Sequence, residues 1–560
     1  MEDRTWDAVV VGSGISGGWA AKELTERGLR VLVVERGRNV VHAKDYTTEH
    51  VPPWELPYRG RGNPRTLEAD YPIQRKAPQL NESNWHFFVK DSEHPYVQEE
   101  GTDWAWVRGY QLGGRSLTWG RQVYRLSDLD FEANLKDGHG VDWPIRYSDI
   151  APWYDHVEDF IGVSGQEEGL PQLPDGRFLP PMEMNCLERD VKSDIESAFP
   201  DRRMTIGRVA ILTRSREGRG ACHYCGPCER GCSVGAYFSS QSSTLPAAHA
   251  TGRLEVVTDS IVERVLYDPT RKRATGIAII DSKTRERREI RSRLVFLCAS
   301  TIPTTQILLN SASEDAPNGL ANSSGTLGRY LMDHTIGMAA MGIFTGRENE
   351  GVRGNRPNGI YIPRFRNVHD ATPGFVRGYG YQGMAMKMGW SSGLAFPGFG
   401  SQFKAGMSKP GGWLFFLSGF GECLPSAENR VLLADRRDDW GMPQAKVRFQ
   451  WGDNENAMRT DITEQGVAML QSAGAAQVVP GSAMGVGGEA IHEMGTARMG
   501  RDASSSVLNA HNQSHDVPNL FVTDGSAMTS SACQNPSLTY MALTARACAY
   551  AAGELERGLA

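Results

Sequence analysis

The chain has 560 residues, a formal net charge of −6, 22% charged residues and 40% hydrophobic residues. This composition is typical of a soluble globular protein of about two to four domains, and it excludes the strongly basic surface that nucleic-acid binding requires. No apolar run approaches the roughly 18–20 residues of a membrane helix, and a predicted strand follows Met1 so closely that we expect no signal peptide.

Residues 6–37 have the pattern of a dinucleotide-binding unit: strand, G-x-G-x-x-G turn, helix, second strand, acidic residue. In such a unit Gly12 permits a tight turn, Gly14 lets the backbone approach a pyrophosphate, and Gly17 allows close helix–strand packing. The helix N-terminus faces the phosphates, and Glu35 can accept a hydrogen bond from a ribose hydroxyl. The motif does not separate FAD from NAD. The predicted cofactor contacts are Gly12, Gly14, Ile15, Ser16, Gly17 and Glu35.

The next two segments differ in character. Residues 41–108 are rich in proline and aromatic side chains, and we expect an excursion that forms a lid over the active site or a partner surface. Residues 109–121, GYQLGGRSLTWGR, supply a second glycine-rich turn whose backbone could lie against a flat cofactor. By itself this turn is equally compatible with an ordinary chain reversal. Its predicted cofactor contacts are Gly113, Gly114, Ser116 and Thr118.

The segment CHYCGPCERGC concentrates Cys222, Cys225, Cys228 and Cys232 in eleven positions. The residues leave four interpretations open: a thioredoxin-type dithiol, a structural zinc site, free thiols, or an iron–sulfur cluster. A dithiol gains nothing from two flanking cysteines, and paired zinc knuckles usually have a longer spacer. The spacing C-x2-C-x2-C-x3-C favours a cluster. Ser233, however, stands where ferredoxins have proline, and the fourth cysteine of a ferredoxin run can serve another cluster.

The middle of the chain predicts mostly strands. Residues 253–300 read as a run of strands that returns to the nucleotide domain, and residues 335–488 as a second domain whose strands are separated by glycine and proline. In this second domain Gln382 and Glu422 lie in glycine- and aromatic-rich surroundings and could face a sugar. A surface or structural role is at least as compatible with either residue.

Towards the C-terminus, residues 518–528 predict a strand that ends in Asp524-Gly525, and a helical pattern follows Asn535-Pro536. A second helix terminus of this kind suits the ribityl-pyrophosphate end of a flavin. Because glycine turns at both ends of the chain would serve one nucleotide site, we predict FAD. The predicted cofactor contacts here are Asp524, Gly525, Asn535 and Pro536.

His492 and Asn535 form a candidate pair for alcohol oxidation. The pKa of a histidine lies near neutral pH, so His492 could take the hydroxyl proton while a hydride leaves carbon for the flavin N5. The side-chain amide of Asn535 could hold the alcohol oxygen in place. The residues alone also allow a structural histidine and an asparagine that caps a helix.

Six segments together resemble the glucose–methanol–choline (GMC) family of flavin oxidoreductases along the whole chain. They are VVVGSGISGG…VLVVERG, LGGRSLTWG, LVFLCASTIPTTQILLNS, HEMGTARMG, QSHDVPNLFVTDGSA and NPSLTYMAL. The chain looks most similar to bacterial catalytic subunits of the glucoside 3-dehydrogenase, glucose dehydrogenase and gluconate 2-dehydrogenase type. The resemblance implies an α/β fold, with a Rossmann-like FAD-binding domain and an α+β substrate domain that has a mainly antiparallel sheet. It also implies that His492 and Asn535 are catalytic.

The domain assignment follows from this resemblance. We assign residues 1–40, 109–165, 206–334 and 489–560 to the FAD-binding domain, with the cysteine loop at 215–240. We assign residues 166–205 and 335–488 to the substrate domain.

The resemblance also implies the redox centres. Sugar dehydrogenases that work with a small subunit and a multihaem cytochrome carry a three-iron cluster whose ligands have the spacing of Cys222, Cys228 and Cys232. We therefore expect [3Fe-4S] rather than [4Fe-4S], with Cys225 as a fourth ligand or a bystander. FAD is expected to be noncovalent, because residues 117–119 (LTW) have no histidine where some pyranose oxidases attach their flavin.

We therefore expect an FAD-dependent dehydrogenase that oxidises a sugar or glycoside hydroxyl, preferably at C3 of a glycoside to give a 3-keto product. Electrons would leave through the cluster to a separate cytochrome c, since the chain has no C-x-x-C-H haem motif. The resemblance implies a small subunit with a twin-arginine signal that carries the folded complex to the periplasm; without it the enzyme would be cytoplasmic. The alternatives are an oxygen-using pyranose or glycoside oxidase and a flavin–cluster electron-transfer subunit that turns over no sugar.

Overall fold

A computed structural model describes residues 4–558 apart from positions 53, 61, 78–79, 390–397 and 482–483. The helices of this part are α1 (Ile15–Glu26), α2 (Pro64–Asp70), α3 (Asp128–Phe131), α4 (Ala133–Asp137), α5 (Tyr147–Ile161), α6 (Cys186–Ala198), α7 (Thr244–Ala250), α8 (Thr301–Asn310), α9 (Gly400–Met407), α10 (Asp453–Ser472) and α11 (Ser537–Glu556). The strands are β1 (Trp6–Val11), β2 (Val31–Val34), β3 (Val97–Gln98), β4 (Val163–Ser164), β5 (Phe178–Leu179), β6 (Thr205–Ile206), β7 (Leu254–Val257), β8 (Ser260–Asp268), β9 (Arg273–Asp281), β10 (Arg287–Leu297), β11 (Thr335–Phe344), β12 (Ile360–Ile362), β13 (Tyr379–Lys387), β14 (Trp413–Gly421), β15 (Arg430–Arg437), β16 (Pro443–Arg448), β17 (Gln477–Pro480) and β18 (Leu520–Val522).

The first sheet has seven strands in the order β7-β2-β1-β10-β9-β8, and β18 also pairs with β10. Strands β7, β2, β1, β18 and the C-terminal half of β10 are mutually parallel, whereas β9 pairs with the N-terminal half of β10 in antiparallel fashion. The valine-rich β1 and β2 are almost wholly buried, as expected for central parallel strands covered on both faces. This sheet therefore provides a nucleotide-binding half with a β-hairpin extension.

The second sheet has six strands in the order β17-β11-β14-β13-β12-β6, and all of its pairings are antiparallel. Helices α6 and α10 cover one of its faces and close an apolar core with it. The predicted fold class, a Rossmann-like domain plus a substrate domain with an antiparallel sheet, is confirmed.

The described residues of segment 41–108 contact two parts of the fold. Their N-terminal part packs on the cysteine loop, where the Arg230 guanidinium donates hydrogen bonds to the carbonyls of Thr48 and Val51 at 3.3 and 2.8 Å. Their C-terminal part lines the cavity described below. The short β3 also joins β15 and β16 in a separate three-stranded sheet. Among the described residues we find no helix with the length and apolar character needed to cross a membrane.

Candidate active site

A cavity of about 390 Å³ opens where the parallel strands of the first sheet end. Its walls include the residues that directly follow β1, β2, β10 and β18, and one side chain each from β11, β13 and β14. Ligands of doubly wound sheets bind at this carboxyl edge, because the loops there can diverge and leave a crevice. Of the predicted site residues, those that line the cavity are Gly12, Gly14, Ile15, Ser16, Glu35, Gly114, Ser116, Thr118, Gln382, His492, Asp524, Gly525, Asn535 and Pro536.

One end of the cavity has the features of a pyrophosphate and ribose site. Gly12 has φ +90, and a Cβ there would lie 2.6 Å from the Cys298 carbonyl oxygen, so glycine is required. A Cβ at Gly14 would meet no atom of the described residues within 4 Å, which leaves an open cradle. Helix α1 begins beside this cradle, and in the described structure no side chain caps it. Its first N–H groups can therefore face an anionic ligand.

Glu35 lies beside this cradle and is 6% exposed. It accepts hydrogen bonds from the Ser13 hydroxyl at 2.5 Å, the Ser13 N–H at 3.1 Å and the Gly37 N–H at 2.9 Å. Burial raises the pKa of Glu35, and these three donors oppose that rise. Gly17 does not line the cavity; a Cβ there would lie 2.0 Å from the Gly12 carbonyl oxygen, which fits the close packing that the motif predicts.

The second glycine turn lies against the first. Gly113 donates its N–H to the Ser13 hydroxyl at 2.9 Å, and Ser116 returns a hydrogen bond to the Gly113 carbonyl at 2.5 Å. The turn thereby fixes the wall that Gly114, Ser116 and Thr118 present to the cavity. Gly113 itself does not line the cavity, but its hydrogen bonds to Ser13 and Ser116 hold this wall in place.

The C-terminal segment supplies the opposite wall. Asp524 accepts hydrogen bonds from the Ser300 N–H at 2.9 Å, the Thr304 hydroxyl at 2.6 Å and the Ser526 hydroxyl at 2.5 Å. These bonds tie the end of β18 to the start of α8. Helix α11 begins at Ser537 with Pro536 at its N-cap, so a second helix N-terminus faces the cavity.

His492 and Asn535 meet at the other end of the cavity. The Asn535 amide nitrogen lies 3.3 Å from His492 Nε2, and Asn535 Oδ1 accepts a hydrogen bond from Gln382 Nε2 at 2.5 Å. Asn535 is therefore engaged with other polar side chains and does not cap α11, whose N-cap is Pro536. An imidazole nitrogen next to two side-chain amides can accept a hydroxyl proton while the amides hold the oxygen.

Two residues that the sequence did not single out support His492. His334 Nδ1 lies 2.9 Å from His492 Nδ1, and Asp333 accepts the backbone N–H of His492 at 3.1 Å. Burial, reinforced by the Arg115 guanidinium, holds the pKa of His492 well below its ordinary value of 6.5. Burial, reinforced by the charge of Glu493, raises the pKa of Asp333 to about 7.

Arg115 and Glu493 were also missed, although both lie inside quoted motifs. The Arg115 guanidinium binds the Glu493 carboxylate through two hydrogen bonds of 2.8 and 3.1 Å, and it also donates to the Ser300 hydroxyl at 3.2 Å. Both residues line the cavity. An arginine inside a glycine-rich turn was the available signal, because a guanidinium that leaves solvent needs an anionic partner, which here is Glu493.

Glu422, the other predicted substrate contact, is placed elsewhere. It is 0% exposed and pairs with Arg377 at 2.6 Å. Its Oε1 also accepts the backbone N–H of Ala532 at 3.2 Å. The residues found to line the cavity include Gln382 but not Glu422. The sequence environments of the two residues are alike, so only the sheet geometry separates them.

The four cysteines lie in a loop with a single short 3-10 helix, Cys228–Arg230. Cys222, Cys228 and Cys232 are half-buried and pack on one small apolar cluster, whereas Cys225 is exposed. The Tyr224 N–H donates to the Cys222 sulfur at 3.4 Å. Burial raises the pKa of the Cys228 thiol to about 11, and Arg121 opposes this. Among the described residues, no group of three or more His, Cys, Asp or Glu side chains is arranged to hold a metal ion.

Arg121 connects the cysteine loop with the cavity. It lines the cavity at the end of the second glycine turn, and its positive charge acts on the thiols of Cys222 and Cys228. The side chain is 9% exposed and lies over the Tyr237 ring at 5.2 Å. Its Nε and Nη1 have no hydrogen-bond partner among the described residues. A buried guanidinium in this state is suited to an anionic neighbour.

The fold and the cavity define a flavin-dependent oxidoreductase that acts on alcohols. FAD fits the open cradle at Gly14, the two helix N-termini and the Glu35 carboxylate, and His492 and Asn535 line the same cavity. Models of the GMC oxidoreductase family match residues 7–336 and 425–544. The chain belongs to the GMC oxidoreductase family.

Individual relatives cover the whole length. A 2-methyl-1,2-propanediol dehydrogenase of Mycolicibacterium austroafricanum is 31% identical over 570 residues, which cover 97% of this chain and 94% of that protein. The fructose dehydrogenase large subunit of Gluconobacter japonicus is 24% identical over 572 residues, which cover 100% and 99%. A formate oxidase variant of Aspergillus oryzae shares the fold, with a TM-score of 0.61 at 12% identity over 100% of both chains.

Proposed function

We propose that the chain is a dehydrogenase that oxidises a hydroxyl of a sugar or glycoside, preferably the ring C3 hydroxyl, to a ketone. The observation that carries this proposal is the convergence of His492, Asn535 and Gln382 at one end of the cavity. An imidazole and two amides supply the proton acceptor and the hydrogen-bond partners that an alcohol needs.

His492 Nε2 takes the hydroxyl proton, and the Asn535 amide N–H donates to the alcohol oxygen. Bound FAD supplies the two-electron acceptor for the hydride that leaves the same carbon. The carbon–oxygen single bond thereby becomes a carbonyl. The low pKa of His492 keeps its ring neutral at physiological pH, which is the form that can accept a proton.

Gln382 supports a substrate with more than one hydroxyl. Its Nε2 is bound to Asn535 Oδ1, so its Oε1 remains as an acceptor at the cavity wall. A second hydroxyl on the adjacent carbon would meet this oxygen. Vicinal hydroxyls are common to glycosides and to the substrate named for the diol dehydrogenase relative.

The test is anaerobic mixing of the oxidised holoenzyme with a panel of sugars, glycosides and short 1,2-diols. Bleaching of the flavin by glycosides, with a 3-keto product identified by NMR, would support the proposal. Bleaching by glycosides with a different keto position would overturn only the regiochemistry. Lack of bleaching by every carbohydrate would overturn the carbohydrate assignment.

A short vicinal diol is the second candidate substrate, because the 31% identical relative is named for one. A glycoside has more atoms beyond the reacting carbon than a short diol, so it can make more contacts with the cavity wall. If a short diol reduces the flavin with a higher kcat/KM than any glycoside does, the diol assignment is favoured. Rapid peroxide release in air would instead favour an oxidase.

We further propose that Cys222, Cys228 and Cys232 hold a [3Fe-4S] cluster. Three features support it: these three thiols are the half-buried ones, N–H groups point at the sulfurs of Cys222 and Cys232, and Arg121 supplies a buried positive charge. Hydrogen bonds to sulfur and local charge stabilise cluster thiolates. Such a cluster would accept electrons singly and pass them to the surface.

The thiols would have to close around the iron, since their present arrangement does not form a metal site among the described residues. Iron and sulfide analysis with electron spin resonance of the purified protein tests the cluster. Cys232→Ser should lose most of the iron, whereas Cys225→Ser, the matched exposed position, should retain it. Equal iron in both variants would overturn the ligand assignment, and iron-free wild-type protein would overturn the cluster.

The partners and location are proposed on the same basis. The relative from Gluconobacter japonicus is named as a large subunit, which supports a partner subunit for this chain. We propose that this partner is a small subunit with a twin-arginine signal and that a cytochrome c accepts the electrons. Co-export would then place the enzyme in the periplasm. Cell fractionation followed by immunoblotting tests this, since recovery in the cytoplasm alone would contradict export.

A further inference from the structure

His334 contacts Nδ1 of His492, the ring nitrogen opposite the Nε2 that faces Asn535. It precedes β11, is 0% exposed, and places its Nδ1 at 2.9 Å from His492 Nδ1. Its Nε2 lies 3.3 Å from the backbone carbonyl oxygen of Ser531. The two rings are nearly perpendicular, at 79°, with centroids 4.9 Å apart. His334 is not among the residues found to line the cavity, so it can act on the substrate only through His492.

The contacts of His334 decide where its proton resides. A carbonyl oxygen only accepts hydrogen bonds, so the Ser531 contact requires a proton on His334 Nε2. Burial lowers the pKa of His334 to about 4, so the ring is neutral at physiological pH and carries one proton only. His334 Nδ1 must then be a lone pair that faces His492.

The same reasoning extends to His492. Two ring nitrogens 2.9 Å apart need one proton between them, and since His334 Nδ1 is a lone pair, that proton belongs to His492 Nδ1. We propose that His334 is a positioning residue that fixes the tautomer of His492, so that the lone pair on His492 Nε2 faces the cavity and Asn535. The Ser531 carbonyl thus sets the tautomer of His492 through two successive hydrogen bonds, the first from His334 Nε2 to Ser531 and the second from His492 Nδ1 to His334 Nδ1.

The contact also serves the reaction itself. When His492 Nε2 accepts the hydroxyl proton, the ring becomes a cation, and its Nδ1–H still points at the lone pair of His334. A hydrogen bond from a charged donor is stronger than one from a neutral donor, so the contact strengthens as the proton arrives. This inference rests on the proposed role of His492 as the proton acceptor.

The experiment compares two substitutions of His334 in the FAD-loaded enzyme. His334→Leu fills a similar volume but offers no acceptor. His334→Asn can place its Oδ1 near the position of Nδ1 and keeps the acceptor. Under anaerobic conditions we expect the limiting rate of flavin reduction to fall about 10²-fold or more in His334→Leu, with less than about threefold change in KM. His334→Asn should recover at least about tenfold of that loss.

A purely structural role for His334 gives a different pattern. It would lower FAD content or change KM, and it would affect both variants alike. Equal rates in the Leu and Asn variants, or a His334→Leu rate within about threefold of wild type, would overturn the inference. Should the Leu variant fail to fold, His334→Met replaces it, because an unbranched side chain adapts to irregular space.

His492→Ala separates this inference from the function on which it rests. If His492→Ala retains the wild-type rate, the role of His492 fails whatever His334 does. If His492→Ala is slow while His334→Leu is fast, only the tautomer inference fails.

Discussion

The alcohol site and the cysteine loop lie on two sides of the same glycine-rich turn. They differ in how far the protein itself pairs their polar groups. At the alcohol site both ring nitrogens of His492 face a polar partner, at 2.9 Å from His334 and 3.3 Å from Asn535. In the cysteine loop the sulfurs do not form a metal site among the described residues, and Arg121 keeps a charge without hydrogen bonds on its Nε and Nη1. The first region is pre-organised by the protein's own side chains, and the second is not.

This difference has a physical cause. The alcohol site is held by strands and helix ends of both sheets, whose positions are fixed by large buried cores. The cysteine loop is supported mainly by the excursion at 41–52 and by one small apolar cluster. Mutations should therefore change rates at the first region and ligand retention or stability at the second.

The largest expected effect is at His492. His492→Ala removes the proton acceptor, and we expect the anaerobic rate of flavin reduction by substrate to fall about 10³-fold with FAD content unchanged. Stopped-flow absorbance measures the rate, and the spectrum of the purified variant measures the FAD content. A variant that loses FAD in proportion to its activity would show instead that His492 is structural.

The next effect lies behind the alcohol site. Glu422→Gln removes one of the two carboxylates that pair with the buried Arg377, the other being Asp137, and we expect the free energy of unfolding to fall by about 2 kcal/mol. Because Glu422 is separated from the cavity, KM for substrate should stay within about twofold of wild type. Denaturant unfolding tests the predicted loss of stability, and steady-state kinetics test the unchanged KM. A large rise in KM with normal stability would instead show that Glu422 contacts the substrate.

Substitution of Arg121 tests the cysteine loop, because it should change the stability of the iron-free and the iron-loaded protein in opposite directions. Arg121→Gln removes an unpaired buried charge, so the iron-free protein should gain about 2 kcal/mol of stability. If the proposed cluster binds, Arg121→Gln should instead lower the stability of the iron-loaded protein, because the thiolates lose their positive neighbour. Thermal unfolding of both forms is the measurement, and a shift of the same sign in both would show that Arg121 does not serve the cysteine loop.

Gln382 should give a smaller effect than His492 at the same site. Gln382→Met removes one amide from the cavity wall, and we expect KM for a polyol to rise about tenfold with little change in stability. A simple mono-alcohol should be less affected than a vicinal diol. Equal effects on both alcohols would mean that Gln382 acts only by orienting Asn535.

The smallest effect concerns pH. His492 must be neutral to accept a proton, and its pKa lies well below 6.5, so the acid limb of kcat/KM should appear below that value. Between about pH 6.5 and 8 the rate should change less than about twofold. Asp333, whose pKa is about 7, accepts hydrogen bonds from the backbone N–H groups of Gly488 and His492 at 2.7 and 3.1 Å, so Asp333→Asn should leave this plateau in place. An acid limb above 6.5 in both proteins would contradict the low pKa.

Much of the site is readable from local sequence. The first glycine turn, Glu35 and the Asp524-Gly525 turn each follow a strand of the first sheet, and such strand ends converge on one sheet edge. The second turn is marked by its own Gly113-Gly114 pattern. Arg115 was available to the same reasoning, since it lies inside the second turn. His334 was not, because a histidine before an apolar strand has no signature of its own.

The sequence by itself determined the family resemblance, the nucleotide-binding glycine turns and the concentration of cysteines, because these depend on motifs within short segments. Only the tertiary structure decided that His334 backs His492 from 158 positions away, that Gln382 meets Asn535 across 153 positions, and that Glu422 turns to Arg377 instead of the cavity. Such contacts depend on strand register and on the packing of two sheets. A one-residue shift of a strand would move every side chain to the opposite face, and no local pattern records that choice.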